Sequence, residues 1–456
     1  MKNTVKRSFA LIVAVIMFFG GMVFLFSKFV LFGGDWVTNK ADNHIYSNGA
    51  IINAGSILDK NGKKLAYSKD GERLYNDDET VRIATLHTVG DTRGVIATGL
   101  HTTYCSKLTG YNLVSGVFNL KKYSRGNDLK LTIDADVCAA AYNALDGRKG
   151  AVGVYNYKTG EVICQVSAPS YDPVNVPDDL YENDEKYEGV FLNRMISGLY
   201  TPGSIFKIVT SICAIDNVSD ISSKNFHCDG SHSIDGSKVV CNGVHGDICF
   251  EEAFGHSCNS AFSEIGVDLG AKKLTETAQQ LGFNKPLKMG EVDVESSNFS
   301  LKKAANIDIG WASIGQYNTM VNPTHILTLM GAIAGGGKAK MPYIVDKMTA
   351  PNGSVIQKTS ETNCNSIDLK PETASKIKEM MRSNVQNYYG DGLFPGLTIC
   401  GKTGTAEVKG SEPNAWFVGF SADESFPYAF VVVVEDAGYG STVAIPIANE
   451  VLQSIK

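Results

Sequence analysis

The hydrophobic pattern is densest near the N-terminus, where the run from Phe9 to Phe26 contains only apolar residues and glycine. A helix of that length can cross a bilayer. Cleaved signal peptides have a shorter apolar core and a small-residue cleavage site, and neither is evident, so the pattern predicts an uncleaved anchor. Because Lys2, Lys6 and Arg7 precede the run, we expect a single-pass protein of the cell membrane with a cytoplasmic N-terminus and an extracytoplasmic remainder.

Between residues 35 and 147 the chain becomes polar, and turn signals separate short strand-like segments. Gly55–Leu65 predicts a hairpin that turns at Asn61 and Gly62. Leu129–Asp134 has the pattern of a strand, and Val137–Leu145 has that of a helix. The segment offers no nucleophile, carboxylate pair or phosphate-binding loop, so we interpret it as a spacer that holds a later domain away from the membrane.

From residue 148 onward, strand-like segments stand at both ends and helical segments stand between them. Ala151–Val166 predicts a hairpin with its turn near Lys158–Gly160. The C-terminal part predicts a last helix that starts near Pro446, preceded by three strands: Thr398–Glu407, Ala415–Phe420 and Tyr428–Glu435. This order predicts an α+β domain in which helices cover an antiparallel sheet.

We therefore divide the chain into a tail and anchor (1–34), a spacer (35–147) and a C-terminal domain (148–456). The length of 456 residues and a hydrophobic content of 43% allow a sizeable core. The formal net charge of -6 argues against a nucleic-acid partner, which would need a basic face.

A serine and a lysine stand at the opening of an otherwise apolar helical pattern in the stretch Tyr200–Thr210. Pro202 and Gly203 predict a turn into the helix. Ser204 and Lys207 are three residues apart and so share a helix face. Burial would lower the pKa of the lysine, so Lys207 can act as a base toward the Ser204 hydroxyl, while the helix start can stabilise an oxyanion.

The Ser-x-x-Lys pattern alone is weak, because it recurs at Ser300/Lys303 and Ser375/Lys378. Both of those pairs lie among polar and charged residues, where a lysine keeps its proton, and we interpret them as solvated helix surface.

Two further motifs follow the first one along the chain. Ser257-Cys-Asn259 ends a helical segment, Phe250–His256, and Lys402-Thr-Gly404 lies on a predicted strand. Each also occurs elsewhere, for instance at Ser223–Asn225 and at Lys158–Gly160. The order of the complete set and its placement on a buried helix start, a helix end and a strand separate it from these chance matches.

With these motifs the chain resembles a class B penicillin-binding protein, a monofunctional D,D-transpeptidase of peptidoglycan synthesis. Gly55–Ala66 is similar to the pedestal pattern of that family, although Ala54 stands where arginine is usual. The resemblance covers nearly the whole chain and includes four further matches: Asn193-Arg194, Ile314-Gly-Gln316, Ala415–Gly419 and Ala444-Ile-Pro446. It implies a penicillin-binding, serine β-lactamase-like transpeptidase domain on a small β-rich pedestal of the dimerisation type, preceded by one transmembrane helix.

The resemblance also implies a catalytic role for each motif residue. Ser204 attacks the penultimate D-alanine of a stem peptide, and Lys207 takes its proton. Ser257 relays a proton to the departing D-alanine, Lys402 supports this network, and Asn259 binds the substrate amide.

The substrate-binding residues implied are Thr403, Gly404 and Thr405. The hydroxyls of Thr403 and Thr405 would hold the terminal carboxylate, and the N–H groups of Ser204 and Thr405 would form the oxyanion hole.

The family needs no cofactor for catalysis. Its implied partners are peptidoglycan stem peptides on lipid-linked or nascent glycan, β-lactams as covalent inhibitors and a SEDS-type membrane glycosyltransferase. A membrane-anchored β-lactam sensor, a β-lactamase-like module and a purely structural division protein are the alternatives. The lifetime of a penicillin acyl-enzyme discriminates among them: fast turnover indicates a β-lactamase, and long persistence indicates a transpeptidase or a sensor.

The chain has ten cysteines, many for an exported domain, and several of them crowd together before Ser257. Cys241 and His245 have a spacing that suits one tetrahedral ion, and Cys228 can supply a third ligand, which predicts a structural zinc site. A Cys228–Cys241 disulfide and free thiols are the alternatives. The fourth ligand stays open among three residues and water: Asp229, Cys249 and Cys258.

Overall fold

The computed structural model describes residues 2–38, 46–47, 50–113, 116–117, 125–182, 185–408 and 410–456. Its helices are α1 (Lys2–Val37), α2 (Glu79–Val89), α3 (Leu100–Thr103), α4 (Cys105–Leu108), α5 (Ala135–Leu145), α6 (Arg194–Ser197), α7 (Lys207–Asn217), α8 (Phe250–Gly255), α9 (Asn259–Gln280), α10 (Asn306–Ser313), α11 (Pro323–Ala334), α12 (Pro371–Asn384) and α13 (Ala444–Ile455). Short 3-10 turns cover Gly203–Phe206, Ile221–Ser223 and Asp391–Leu393, and a π-helical turn covers Val385–Gly390.

The strands are β1 (Tyr46–Ser47), β2 (Ala50–Ile51), β3 (Ile57–Leu58), β4 (Lys64–Lys69), β5 (Glu72–Tyr75), β6 (Asp128–Leu131), β7 (Gly150–Asn156), β8 (Val162–Ala168), β9 (Asn225–Cys228), β10 (Ser231–Ile234), β11 (Ser237–Val240), β12 (Gly246–Cys249), β13 (Leu287–Met289), β14 (Val292–Val294), β15 (Val345–Thr349), β16 (Val355–Lys358), β17 (Ile399–Ala406), β18 (Asn414–Ser421) and β19 (Tyr428–Val434).

The first helix carries the predicted membrane anchor. Its segment Thr4–Val37 is long enough to cross a membrane, and the most apolar window of 18 residues within it has a mean hydropathy of 2.8. Apart from the half-buried Val37, the large apolar side chains of this segment are exposed in the structure, as expected for a helix whose solvent is lipid rather than protein.

A five-stranded antiparallel sheet forms the centre of the C-terminal domain, in the order β17-β18-β19-β7-β8. Strand β18 is buried along its whole length, because helices cover the sheet. Helix α11 packs on β18 and β19, α12 packs on β17, and α5 and α13 pack together against β8 and β19. This arrangement confirms the predicted α+β class, and it leaves β17, which carries Lys402, at one edge of the sheet.

A second, six-stranded sheet has the order β16-β15-β6-β3-β4-β5. Strands β3 and β4 form the predicted hairpin at Gly62, while β3 pairs parallel to β6. Strands β15 and β16 come from residues 345–358, far along the chain. The sheet therefore combines the predicted spacer with a segment of the C-terminal part.

Helix α2 connects the six-stranded sheet with the five-stranded one, because it packs on β4 as well as on α5 and β8. Arg82 on α2 makes a bidentate ion pair with Asp172, at 2.8 Å from Nε to Oδ1 and 2.7 Å from Nη2 to Oδ2. Both side chains are largely buried. Such a planar two-bond contact fixes the relative orientation of the two segments.

Candidate active site

Ser204 lies in the 3-10 turn Gly203–Phe206, which leads directly into α7. The predicted helix therefore begins with a 3-10 turn, and its α-helical part starts at Lys207. Gly203 has a φ of 55°, and a Cβ there would lie 2.4 Å from the carbonyl oxygen of Thr405. Only glycine fits both constraints. The absence of a side chain lets β17 approach the backbone beside Ser204.

The amine of Lys207 is completely buried and surrounded by oxygen atoms. Its Nζ lies 3.0 Å from Ser204 Oγ, 2.6 Å from the carbonyl oxygen of Ser257 and 2.7 Å from Asn259 Oδ1. The carbonyl and amide oxygens can only accept hydrogen bonds. A neutral amine gives its two N–H groups to them and keeps its lone pair for the Ser204 hydroxyl.

Burial lowers the pKa of Lys207 well below its usual value, and the nearby charge of Lys402 lowers it further. Burial also lowers the pKa of Lys402, to about 7. Each amine lies 5.7 Å from the centre of an aromatic ring, Phe262 for Lys207 and Phe254 for Lys402. A neutral Lys207 at physiological pH is the state that can accept a proton from Ser204.

Ser257 joins the two lysines. Its Oγ lies 3.1 Å from Lys207 Nζ and 3.0 Å from Lys402 Nζ. Its backbone has a φ of 55°, in the left-handed region that costs a non-glycine residue of order 1–3 kcal/mol. The hydroxyls and amines of Ser204, Lys207, Ser257 and Lys402 thus form a continuous chain along which a proton can move.

Asn259 is oriented by its surroundings before any substrate binds. Its Nδ2 donates to the carbonyl oxygen of Val240 at 3.0 Å, so its Oδ1 faces Lys207. A substrate amide can therefore reach only the second lone pair of Oδ1, unless the contact to Val240 opens.

Thr403, Gly404 and Thr405 lie on the edge strand β17, which pairs with β18 on its other side. A Cβ at Gly404 would lie 2.9 Å from the carbonyl oxygen of Pro202, so glycine again permits the close approach to the helix start. The phenol of Tyr389 lies 3.1 Å from both the N and the Oγ1 of Thr403. Sequence reasoning missed Tyr389, which no motif marks.

A cleft with a volume of about 560 Å³ runs past Ser204. Ser257, Asn259, Thr403 and Thr405 line it, whereas Lys207 and Lys402 lie beneath it. Six further lining residues were not predicted: Val240, Asn242, Trp311, Glu407, Tyr439 and Ser441. Trp311 and Glu407 lie close in sequence to matched motifs, and this proximity was the signal that could have found them.

The cysteine-rich segment folds as two small antiparallel sheets: the hairpin β10–β11, and the pair β9–β12 that flanks it in the chain. It brings the predicted ligands Cys228, Cys241 and His245 together with Cys258, and the four ligand atoms all lie within 4.8 Å of one another. All ten cysteines are free, so the structure contains no Cys228–Cys241 disulfide. Hydrogen bonds from Cys258 and from backbone N–H groups lower the pKa of the Cys241 thiol well below its usual value.

A hydroxyl nucleophile beside a desolvated lysine, at a helix start next to the edge strand of a helix-covered antiparallel sheet, defines a serine acyltransferase of the penicillin-interacting type. Residues 150–453 match the family model of the penicillin-binding protein transpeptidase domain. The chain belongs to this family, and it is a class B penicillin-binding protein.

Among curated relatives, the peptidoglycan D,D-transpeptidase PbpA of Mycolicibacterium smegmatis is 30% identical over 354 residues, which cover 71% of this chain and 72% of the relative. Among solved structures, the ceftriaxone acyl-enzyme complex of penicillin-binding protein A from M. tuberculosis has a TM-score of 0.77 and 25% identity, over 88% of this chain and 98% of that one. A D,D-transpeptidase domain from Eggerthella lenta has the same TM-score and 27% identity, over 88% of this chain and 97% of that one.

Proposed function

We propose that this protein is a peptidoglycan D,D-transpeptidase that cross-links stem peptides through an acyl-enzyme on Ser204 and is acylated by β-lactams. The observation that carries the proposal is the buried Lys207 amine, 3.0 Å from the Ser204 hydroxyl and held so that its lone pair faces that hydroxyl. The names of the relatives and the acyl-enzyme complexes among the similar structures support the same reaction class.

In the acylation step, Ser204 Oγ attacks the carbonyl carbon of the penultimate D-alanine while Lys207 takes the hydroxyl proton. The N–H groups of Ser204 and Thr405 stabilise the oxyanion of the tetrahedral intermediate. The close contact between Gly203 and Thr405 supports this pairing, because it sets the two backbone segments side by side.

Collapse of the intermediate breaks the peptide bond to the terminal D-alanine, whose nitrogen must gain a proton. Ser257 is the relay, since its hydroxyl lies within 3.1 Å of Lys207 Nζ and 3.0 Å of Lys402 Nζ. The proton taken from Ser204 passes from Lys207 through Ser257 to the leaving amine. Lys402 holds the Ser257 hydroxyl in position during this transfer.

The substrate lies along β17. The hydroxyls of Thr403 and Thr405 bind its terminal carboxylate, and Asn259 binds an amide of its backbone. The cleft position of these three residues supports the assignment. An amine of a neighbouring stem peptide then attacks the ester carbonyl and forms a new amide bond, which is the cross-link. The ester bond to Ser204 breaks, and the proton that the attacking amine loses passes to Ser204 Oγ.

We propose that residues 1–34 form the cytoplasmic tail and the membrane span, and that this span holds the pedestal next to the membrane. Residues 35–147 form most of the pedestal, and residues 148–456 form the transpeptidase domain, with 345–358 completing the pedestal sheet. The basic residues ahead of the span support an extracytoplasmic catalytic domain. A SEDS-type membrane glycosyltransferase is the proposed source of glycan strands, on the support of the family resemblance.

We also propose that Cys228, Cys241 and His245 bind a structural zinc ion. Their convergence within 4.8 Å supports this site. The ion takes no part in acyl transfer, because Ser204, Lys207 and Ser257 already supply the nucleophile, the base and the proton relay.

The test of the reaction is the lifetime of the covalent adduct with a fluorescent penicillin on the full-length protein. We expect rapid labelling that persists through gel electrophoresis in the wild type, and none in Ser204→Ala. Rapid loss of label with penicillin hydrolysis would instead identify a β-lactamase, and labelling of Ser204→Ala would overturn the assignment of the nucleophile.

A further inference from the structure

The four ligand atoms of the cysteine cluster lie within 4.8 Å of one another, and two of the six distances among them match the edges of a metal tetrahedron. Cys241 Sγ lies 3.7 Å from Cys258 Sγ and 3.6 Å from His245 Nδ1. With zinc–sulfur and zinc–nitrogen distances of about 2.3 and 2.0 Å, a tetrahedral site has edges of roughly 3.8 Å between sulfurs and roughly 3.5 Å between sulfur and nitrogen. The ion fits with little movement of these side chains.

The ligands come from four separate places in the fold. Cys228 ends β9, Cys241 follows β11, His245 precedes β12, and Cys258 is the residue that caps α9. A backbone hydrogen bond already connects two of the ligand residues: the N–H of His245 donates to the carbonyl oxygen of Cys228 at 3.2 Å. Two-stranded hairpins of this size are marginal without further support, which a structural metal supplies.

Backbone N–H groups point at two of the thiols, as they do toward thiolates that bind zinc. The N–H of Asn259 donates to Cys241 Sγ at 3.2 Å, and the N–H of Ala261 donates to Cys258 Sγ at 3.4 Å. Both N–H groups belong to the first turn of α9, whose positive end stabilises the charge of a thiolate. Simple packing of neutral thiols would not require this arrangement.

We propose that Cys258 is the fourth ligand of a closed Cys3His zinc site, and that this site holds Ser257 and Asn259 in their active positions. The second part rests on the proposed function. Cys258 lies between Ser257 and Asn259 in the chain, and Asn259 also donates to the ligand Cys241. The strained φ of Ser257 needs such support, because an unbraced residue would relax toward common backbone angles.

The ligand set is tested on the full-length protein in detergent, stripped of metal and loaded with Co²⁺, whose thiolate charge-transfer absorption reports the number of cysteine ligands. We expect one ion per chain in the wild type. Cys258→Ser should lose about one third of that absorption, since one of three thiolates is removed. Cys249→Ser is the matched control, from the same segment but outside the cluster, and should leave the spectrum unchanged.

A full three-thiolate spectrum in Cys258→Ser would overturn Cys258 as a ligand. Failure of the wild-type protein to bind either Zn²⁺ or Co²⁺ would overturn the site altogether. The wild-type spectrum decides this second point even if the Cys258 variant does not fold.

The positioning role is tested on wild-type protein by measuring penicillin acylation before chelation, after it and after Zn²⁺ is restored. We expect the acylation rate of the metal-free protein to fall on the order of tenfold to a hundredfold, as for a misplaced catalytic group, and to recover with Zn²⁺. An unchanged rate in protein shown to be metal-free would refute the positioning role. Absence of acylation in the zinc-loaded protein would count against the transpeptidase, while the cobalt spectrum would still decide the ligand set.

Discussion

The amide oxygen of Asn259 lies 2.7 Å from the amine of Lys207, and the contact between Asn259 Nδ2 and Val240 prevents the amide from turning over. Asn259 therefore occupies one N–H of the buried amine and directs the lone pair toward Ser204. The asparagine of the second motif orients the base of the first, in addition to lining the cleft.

This contact predicts a shift in the pH dependence of Asn259→Asp. A carboxylate 2.7 Å from the amine favours the charged lysine and so raises its pKa. Less Lys207 is then neutral at pH 7, and the rise of the acylation rate with pH should move to higher pH, with activity regained under alkaline conditions. The pH dependence of the acylation rate is measured by stopped-flow kinetics with a chromogenic β-lactam, for the wild type and for Asn259→Asp. A shift to lower pH would contradict the proposed role of Lys207 as the base.

Removal of the proposed base, Lys207, should lower the acylation rate more than the change at Asn259. Lys207→Ala should lower the acylation rate by two orders of magnitude or more, on the order of 10²–10⁴-fold for loss of a general base. Lys303→Ala is the matched control, because Ser300 and Lys303 have the same spacing but Lys303 is exposed. A Lys207→Ala variant that acylates at the wild-type rate would require a different base.

Tyr389 offers a test of a residue that no motif marks. Its phenol accepts from the N–H of Thr403 and contacts the Thr403 hydroxyl, and burial keeps it protonated by raising its pKa. Tyr389→Phe should weaken substrate binding by about tenfold, equivalent to one buried hydrogen bond of about 1.5 kcal/mol. Tyr388→Phe, one residue away and in T-shaped contact with the His256 ring, should leave acylation unchanged. Equal losses in both variants would point to general disruption of the π-helical turn.

The proposed topology predicts the outcome of protease treatment. Protease added outside intact protoplasts should remove the chain beyond about residue 35, and a penicillin label on Ser204 should go with it. Protection of the labelled domain, under conditions where a known external protein is digested, would show that the membrane orientation is opposite to the one proposed.

Local patterns account for the parts of the site that lie on one element. Three such features could be predicted from the sequence: the three-residue spacing of Ser204 and Lys207, the apolar helix that follows them, and the strand that carries Lys402. The position of Ser257 between two lysines could not be predicted from the sequence, because it depends on a left-handed backbone angle and on a contact with Lys402, 145 residues away.

Contacts between residues far apart in the chain explain the other features that the sequence did not predict. Residues 345–358 join the pedestal sheet through β6, a pairing that neither segment's own pattern specifies. Tyr389 reaches Thr403 from a π-helical turn that has no sequence signature. Among the candidates for the fourth metal ligand, only the three-dimensional position of Cys258 distinguishes it from Asp229 and Cys249.

The central claim is that Ser204 is the acylated residue, and peptide mapping tests it most directly. Full-length protein is incubated with penicillin, digested with trypsin and analysed by tandem mass spectrometry. Cleavage after Arg194 and Lys207 isolates the peptide Met195–Lys207. The account predicts that this peptide gains the mass of one penicillin and that fragmentation places the mass on Ser204 rather than Ser197. An adduct on any other residue, or no adduct in zinc-loaded folded protein, would contradict it.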